Sequence, residues 1–574
     1  MRTVLPMHAS VSARLAKLAP DQRAAATAPP GPVLCVAPAG SGKTTTLVAR
    51  VAYLVDGGVD AGSVCLVAFN KKAAEELTER LDAALAPLGV AAGTVRVRTF
   101  HALGREVLRD AGVSVDPLID RDELVRDLFP GISRADRGRL DLAFSRLKLD
   151  LRVSPEEILA RDPAPGPVAQ AYIRYARAVR DSGGVDFDDF VIRALDALSS
   201  DARLLARWRA RTSTLMVDEA QDLDRTQLDL ALLLAGEAAN VMFVGDDDQS
   251  IYAWRLADVR RVLGLAALLP GLRRVDLSTN YRCPPPVVER AVRLVEVNQE
   301  RFAKRILAGS RGGGRIVLAP DGADDPVRIR RALEALPADG ATRAVLSRTN
   351  RELLGAVVAA VELRLPFRAP DLGLVIDDPR MDGLIADAVA AAEPSVHALV
   401  TLAALRRRVG DDAADVAGTS PRDAVVTGPP QERVAAPDDE GPSPADLVTA
   451  LLGWSAGHPT IAGLAGAVAE RRALLAELRR DDAPLTLATA HGTKGLEWDH
   501  VIVLADGFPG RRSIADAAEP ERALEEERRL AYVAWTRARR SLTLLYDPEA
   551  VSRFLREAFS AAELGVPDGD ADAA

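Results

Sequence analysis

Val33-Leu34-Cys35-Val36-Ala37-Pro38-Ala39-Gly40-Ser41-Gly42-Lys43-Thr44-Thr45-Thr46-Leu47-Val48-Ala49-Arg50-Val51-Ala52-Tyr53-Leu54 joins a short apolar run to a helical pattern through a glycine-rich loop. The first four residues read as a buried strand and those after Lys43 as a helix, which predicts a parallel α/β sheet with the loop at a strand end. The glycines let backbone N–H groups converge on an anion at the helix N-terminus. Lys43 is placed to reach β- and γ-phosphates and Thr44 to hold Mg²⁺. Far downstream, Thr214-Leu215-Met216-Val217 is again strand-like and runs into Asp218-Glu219-Ala220-Gln221-Asp222. Asp218 is therefore expected to be a second Mg²⁺ anchor and Glu219 the carboxylate that polarises a water. A Gly-rich turn or an acidic pair occurs alone in many folds; both, each behind a strand, imply nucleoside triphosphate hydrolysis.

A chain of 574 residues with 48% hydrophobic content is too long for one core and predicts several domains or subdomains. A net charge of −9 excludes a protein coated in positive charge but permits a local basic groove for nucleic acid. Cys35, Cys65 and Cys283 lie singly, two of them in strand-like runs, which fits buried thiols in a reducing compartment. With neither a leader-like start nor a span-length apolar stretch, the expected location is cytoplasmic.

More segments follow the same strand-to-helix pattern. Leu66-Val67-Ala68-Phe69-Asn70-Lys71-Lys72 enters one helix and Val97-Arg98-Thr99-Phe100-His101 another. Further on, Val244-Gly245-Asp246-Asp247-Asp248-Gln249-Ser250-Ile251-Tyr252-Ala253-Trp254-Arg255 sets an amide and two aromatics side by side. Tyr252 and Trp254 are spaced to stack on successive bases without reading sequence, in a chain only 4% aromatic. Together with Gln22, Asn280-Tyr281-Arg282, Thr489-Ala490-His491-Gly492-Thr493-Lys494-Gly495-Leu496-Glu497-Trp498 and Arg528-Arg529-Leu530-Ala531-Tyr532-Val533-Ala534-Trp535-Thr536-Arg537-Ala538, these segments form an ordered series over residues 18–546. The series resembles the superfamily 1 helicases of the UvrD/Rep/PcrA type.

That resemblance implies ATP and Mg²⁺ as cofactors, with Ala37, Pro38, Ala39, Gly40, Ser41, Gly42, Lys43, Thr44 and Thr45 around the nucleotide. By the same resemblance Gln22 reads the adenine edge, Tyr281 stacks on the base and Glu497 contacts the ribose. Gln249 becomes a sensor coupling hydrolysis to DNA contact. Arg282 and Arg537 become the arginines that reach from the second lobe to stabilise charge on the transferred phosphoryl group. Phe69, Thr99, His101, Tyr252, Trp254, Arg255 and His491 are the implied DNA-contacting set. The chain departs from many relatives at Thr45, where they carry Arg, at Lys71-Lys72, and at Ala253 and Leu256.

The implied architecture is two RecA-like P-loop motor domains, parallel sheets flanked by helices, each with a mainly helical insertion. Motor domain 1A is expected at 1–102 and 186–272 and its insertion at 103–185. Motor domain 2A is expected at 273–377 and 480–550, with a shortened 2B-like insertion at 378–479. Residues 410–446, rich in Gly, Pro, Asp and Ala, predict a flexible loop, and 551–574 a tail whose acidic end, 568–574, is disordered. The activity implied is 3′-to-5′ movement on single-stranded DNA with unwinding at single-strand/duplex junctions, in repair or recombination. The alternatives are a translocase that strips bound proteins while unwinding weakly, and a non-catalytic DNA-binding relative. The latter should have lost Lys43, Glu219, Arg282 or Arg537, and all four are present. With little beyond the last motif, a fused nuclease is not expected.

Overall fold

The computed structural model describes residues 7–237, 239–309, 312–393, 396–417, 444–515 and 517–567. It divides into two compact units. The first comprises 1–128, 137–314 and 519–536; the second comprises 129–136, 315–518 and 537–574.

In the first unit, strands β1 (Val33–Val36), β2 (Val64–Val67), β3 (Arg96–Arg98), β4 (Thr214–Val217), β5 (Val241–Gly245) and β6 (Arg273–Asp276) form one parallel sheet in the order β3-β2-β4-β5-β1-β6. The near-continuous apolar runs of the four central strands β2, β4, β5 and β1 are what a sheet covered on both faces requires, while Arg-rich β3 and β6 form its edges. Two hydrophobic clusters, one on Leu34, Val36, Cys65 and Val217 and the other on Val33, Cys35, Leu66 and Met216, supply those faces. Alternate residues of one strand point into opposite cores. All three cysteines are buried, and burial pushes the Cys35 and Cys65 thiols up to about 12. A short pair, β7 (Thr279–Asn280) with β8 (Leu307–Ala308), completes this unit's strands among the described residues.

The second unit repeats the principle. Strands β9 (Arg315–Pro320), β10 (Arg343–Ser347), β11 (Phe367–Arg368), β12 (Leu485–Thr489), β13 (Trp498–Leu504) and β14 (Ala538–Tyr546) run parallel in the order β11-β12-β10-β13-β14-β9. The α/β class with two parallel sheets is as the sequence implied.

Observed elements cross several of the expected boundaries. The cut after residue 102 falls inside the helix Phe100–Asp110, whose Leu103, Val107 and Leu108 belong to the first sheet's core. The cut at 272/273 fails because β6 pairs with β1 along its whole length. Residues 273–314 and the helix Pro520–Trp535 group with the first unit. Helix Ala398–Ala417 continues through the start of the expected 410–446 loop, while 418–443 and 568–574 lie outside the described residues. Residues 551–566 are folded, with Phe554, Leu555 and Leu564 buried and the Tyr546 hydroxyl donating to the Leu564 carbonyl (3.2 Å).

The described helices of the insertion at 378–479 pack into the core of the second sheet. Helices Arg380–Ala390, Ala398–Ala417, Pro444–Trp454 and Ile461–Leu478 contribute Met381, Leu402, Leu405, Leu447, Leu451, Leu464 and Leu475 to one apolar cluster. That cluster also holds Val345, Phe367, Leu485 and Ile502 of the second sheet.

Candidate nucleotide and nucleic-acid site

The loop Ala37–Gly42 leaves β1 beside β5, and the Ala37 N–H donates to the Gly245 carbonyl (2.8 Å). Gly40 and Gly42 have φ of 67° and 84°, the left-handed region that glycine enters without strain. A Cβ on Gly40 would sit 2.6 Å from Asn280 Oδ1 and one on Gly42 2.6 Å from Gln22 Nε2, so only glycine fits either position. Ser41 Oγ is buried and lacks a hydrogen-bond partner. An orphaned hydroxyl in a positive-φ cradle at the start of helix Lys43–Asp56 is a fitting receptor for an acceptor-rich group such as a phosphate.

Lys43 Nζ lies 3.1 Å from Glu219 Oε2. Glu219 is a non-glycine residue at φ 52°, a conformation costing on the order of 1 kcal/mol that is kept where function requires it. Its backbone N–H donates to Asp218 Oδ1 (3.0 Å) and its Oε2 accepts from Gln221 Nε2 (2.6 Å). Gln221 Oε1 in turn accepts from the Asp246 N–H (3.0 Å), and Asp246 Oδ2 accepts from Gln249 Nε2 (2.7 Å). One polar chain, half-buried at Lys43 and Glu219 and buried from Gln221 onward, thus joins Lys43, Glu219, Gln221, Asp246 and Gln249. Among the described residues no group of three or more His, Cys, Asp or Glu is arranged to hold a metal by itself. Thr44 and Asp218 fit a Mg²⁺ that takes its remaining oxygens from phosphates and water.

Gln22 is pinned rather than open. Its Nε2 donates to the Ser41 carbonyl (2.8 Å) and its Oε1 accepts from the Ala19 N–H (3.0 Å). Tyr281 N–H donates to the Gly40 carbonyl (2.8 Å), which holds its 37%-exposed ring next to the loop. Arg282 lies in the first unit, beside the loop, where β6 carries the chain. Its Nη1 donates to the Thr536 carbonyl (3.3 Å). Arg537 belongs to the second unit, is buried, and donates from Nη1 to the Leu496 carbonyl (3.2 Å). In that unit Glu497 is ion-paired with Arg539, and His491 is half-buried.

The aromatic pair also differs from two open faces. Tyr252 is buried and stacks on Phe69, with ring centroids 5.1 Å apart and planes at 18°. Trp254 meets it edge-on at 6.0 Å and carries the Arg255 guanidinium 4.6 Å from its ring centre. Thr99 Oγ1 caps the helix Phe100–Asp110 by accepting from the Ala102 N–H (3.2 Å). His101 stacks on Phe187 at 4.0 Å, and burial lowers its pKa to about 4, partly offset by Asp188. His101 is therefore neutral at physiological pH and offers a ring, not a charge.

Sequence reasoning passed over Phe187, a 56%-exposed aromatic on His101, although its Val185-Asp186-Phe187-Asp188-Asp189 context was legible. That segment is clamped by buried charge. Arg121 reaches Asp186 (2.8 Å) and Asp188 (2.6 Å), while Lys148 reaches Asp186 and Asp189 (2.7 Å each). Gln221 was also missed, since an amide inside an acidic motif gives no sign of bridging two others.

Comparison with known proteins agrees with this geometry. Residues 18–268 match the UvrD/REP helicase N-terminal domain and residues 469–549 the UvrD-like helicase C-terminal domain. The chain belongs to the UvrD/Rep helicase family. Its relatives include the ATP-dependent DNA helicase UvrD2 of Mycobacterium tuberculosis, 32% identical over 92% of this chain and 78% of that protein. The ATP-dependent DNA helicase UvrD1 of the same organism is 29% identical over 94% and 85%. DNA helicase II of Escherichia coli is 27% identical over 93% and 85%. No helix among the described residues is long and apolar enough to cross a membrane.

Proposed function

We propose that the chain is an ATP-driven, Mg²⁺-dependent DNA helicase of the UvrD/Rep family that moves 3′ to 5′ on single-stranded DNA and opens duplex at junctions, in cytoplasmic DNA repair or recombination. The supporting observation is the polar chain from Lys43 through Glu219, Gln221 and Asp246 to Gln249, which ends three residues before Tyr252. In this reading ATP with Mg²⁺ supplies the phosphoryl group transferred to water. Lys43 and the loop N–H groups bind its phosphates, Thr44 and Asp218 hold the cation, and Glu219 orients the attacking water. Arg282 and Arg537 add positive charge where the transition state gathers negative charge. Gln249, hydrogen-bonded to Asp246, ties the site to a turn whose aromatic and guanidinium groups suit single-stranded DNA.

A second reading, a translocase that strips proteins and unwinds weakly, draws support from the insertion at 378–479, whose described helices bury Leu402, Leu447, Leu451 and Leu464 in the second sheet's core. Strand displacement on matched 3′- and 5′-tailed duplexes, with ATPase measured alongside, separates the two. The helicase reading expects DNA-stimulated ATPase and displacement from the 3′ tail. Stimulated ATPase with negligible displacement from either tail selects the translocase, and displacement from the 5′ tail alone overturns the polarity.

A further inference from the structure

Lys304 is the most completely buried lysine contact of the first unit and takes no part in the chemistry above. Its ammonium, 1% exposed, lies 2.7 Å from Asp246 Oδ1, 2.5 Å from Asp247 Oδ1 and 2.9 Å from Asp248 Oδ2. Arg301, three residues earlier in sequence, grips Asp248 with two N–H groups (3.0 and 2.8 Å), and the Phe302 N–H donates to Asp247 Oδ2 (2.7 Å). The segment is itself fixed, because Glu525 accepts from the Gln299 N–H (2.6 Å) and the Glu300 N–H (3.2 Å).

Three adjacent buried carboxylates repel one another and resist desolvation; one charge short of neutrality, they stay together only while their counter-ions remain. Burial disfavours the Lys304 ammonium, yet the three carboxylates hold its pKa above the ordinary lysine value. The geometry also has a direction. Asp246 gives one carboxylate oxygen to Lys304 and the other to Gln249, while its N–H orients Gln221, which holds Glu219.

We infer that Lys304 is a positioning residue for hydrolysis: by fixing Asp246 it sets the place of both Gln249 and Glu219, and Arg301 and Lys304 together clamp the turn that leads to the DNA-facing aromatics. This inference rests on the reading that Glu219 and Gln249 serve ATP hydrolysis. Such a residue acts on turnover rather than on nucleotide affinity, since Lys43 and the loop are untouched by its loss.

The test is steady-state, single-strand-stimulated ATPase of the full chain with Lys304→Met and with Lys304→Met/Asp247→Asn, beside thermal melting. Lys304→Met should lower kcat at least about tenfold while KM for ATP stays within about twofold, the signature of misplacement in a bound complex. Adding Asp247→Asn removes one unpaired carboxylate, so the melting temperature should recover and kcat should not. A kcat within about twofold of wild type in either folded variant overturns the inference, as does a kcat that recovers in step with melting. If Lys304→Met fails to fold, the double variant decides alone by the same criteria; if neither folds, Lys304 is structural and the inference falls. Absence of turnover in the wild-type chain would instead sink the hydrolysis reading itself.

Discussion

The turn Asp246–Gln249 and the insertion at 378–479 are both well packed, but of opposite materials. In the turn, Asp246, Asp247, Asp248 and Gln249 are buried polar groups satisfied by Lys304, Arg301 and Gln221. In the insertion, Leu402, Leu447, Val448 and Leu451 are buried without polar partners and merge with the second sheet's core. A charged network is geometrically exacting and adds little net stability, because desolvation offsets attraction. An apolar core tolerates rearrangement and supplies the stability. Removing a counter-ion from the first strands buried charge and should cost turnover as well as stability, whereas damage to the second should cost stability alone.

The largest expected effect lies on the polar side. Glu219→Gln should retain ATP binding and lose on the order of 10²–10⁴-fold in kcat, the usual range for a positioned acid–base group; Lys43→Ala should abolish hydrolysis by weakening phosphate binding. Single-turnover ATPase beside equilibrium nucleotide binding measures both. Substantial hydrolysis by Glu219→Gln would remove that carboxylate from the mechanism and break the comparison at its polar end.

On the apolar side, Leu402→Ala leaves a cavity in the second unit's core and should cost about 2–5 kcal/mol of stability. Activity per folded molecule should be nearly unchanged at temperatures well below melting. If kcat instead fell with the fold intact, the insertion would be a working part of the motor rather than an extension of its core.

These contrasts also explain what the sequence could and could not disclose. The loop 37–44 and the strands before it were legible because glycine placement and uninterrupted apolar runs are local signals. Asp218, Glu219 and Gln249 were legible through their motifs. Lys304 was not: an isolated lysine in Arg301-Phe302-Ala303-Lys304-Arg305 reads as surface, and only the three-dimensional return of that segment to Asp246–Asp248 buries it. The first lobe's boundary was misplaced for the same reason, since the pairing of β6 with β1 joins residues 240 apart in sequence (273 − 33 = 240) and no local pattern records it. The stacking of Tyr252 on Phe69 was not legible either, since the two rings lie in different motifs and no local pattern pairs them.

The smallest expected effect concerns the histidine contact between His101 and Phe187. His101, stacked on Phe187, has its pKa lowered from 6.5 to about 4, first by burial and with Asp188 opposing. Because the folded pKa is depressed below the unfolded one, the unfolded chain binds a proton first as pH falls. Stability contributed by the neutral ring is fully present above about pH 6.5 and is lost as pH drops from there toward 4. The limit set by the shift is about 3 kcal/mol, and partial exposure of the ring lowers the value expected. His101→Gln removes both the ring contact and the titration. The melting temperature of wild type should exceed that of the variant most at pH 7.5, and the gap should narrow steadily to pH 4.5. A gap that stays constant or widens on acidification would show that the imidazole is protonated in the folded chain, which would turn His101 from a neutral stacking face into a cation able to meet a phosphate.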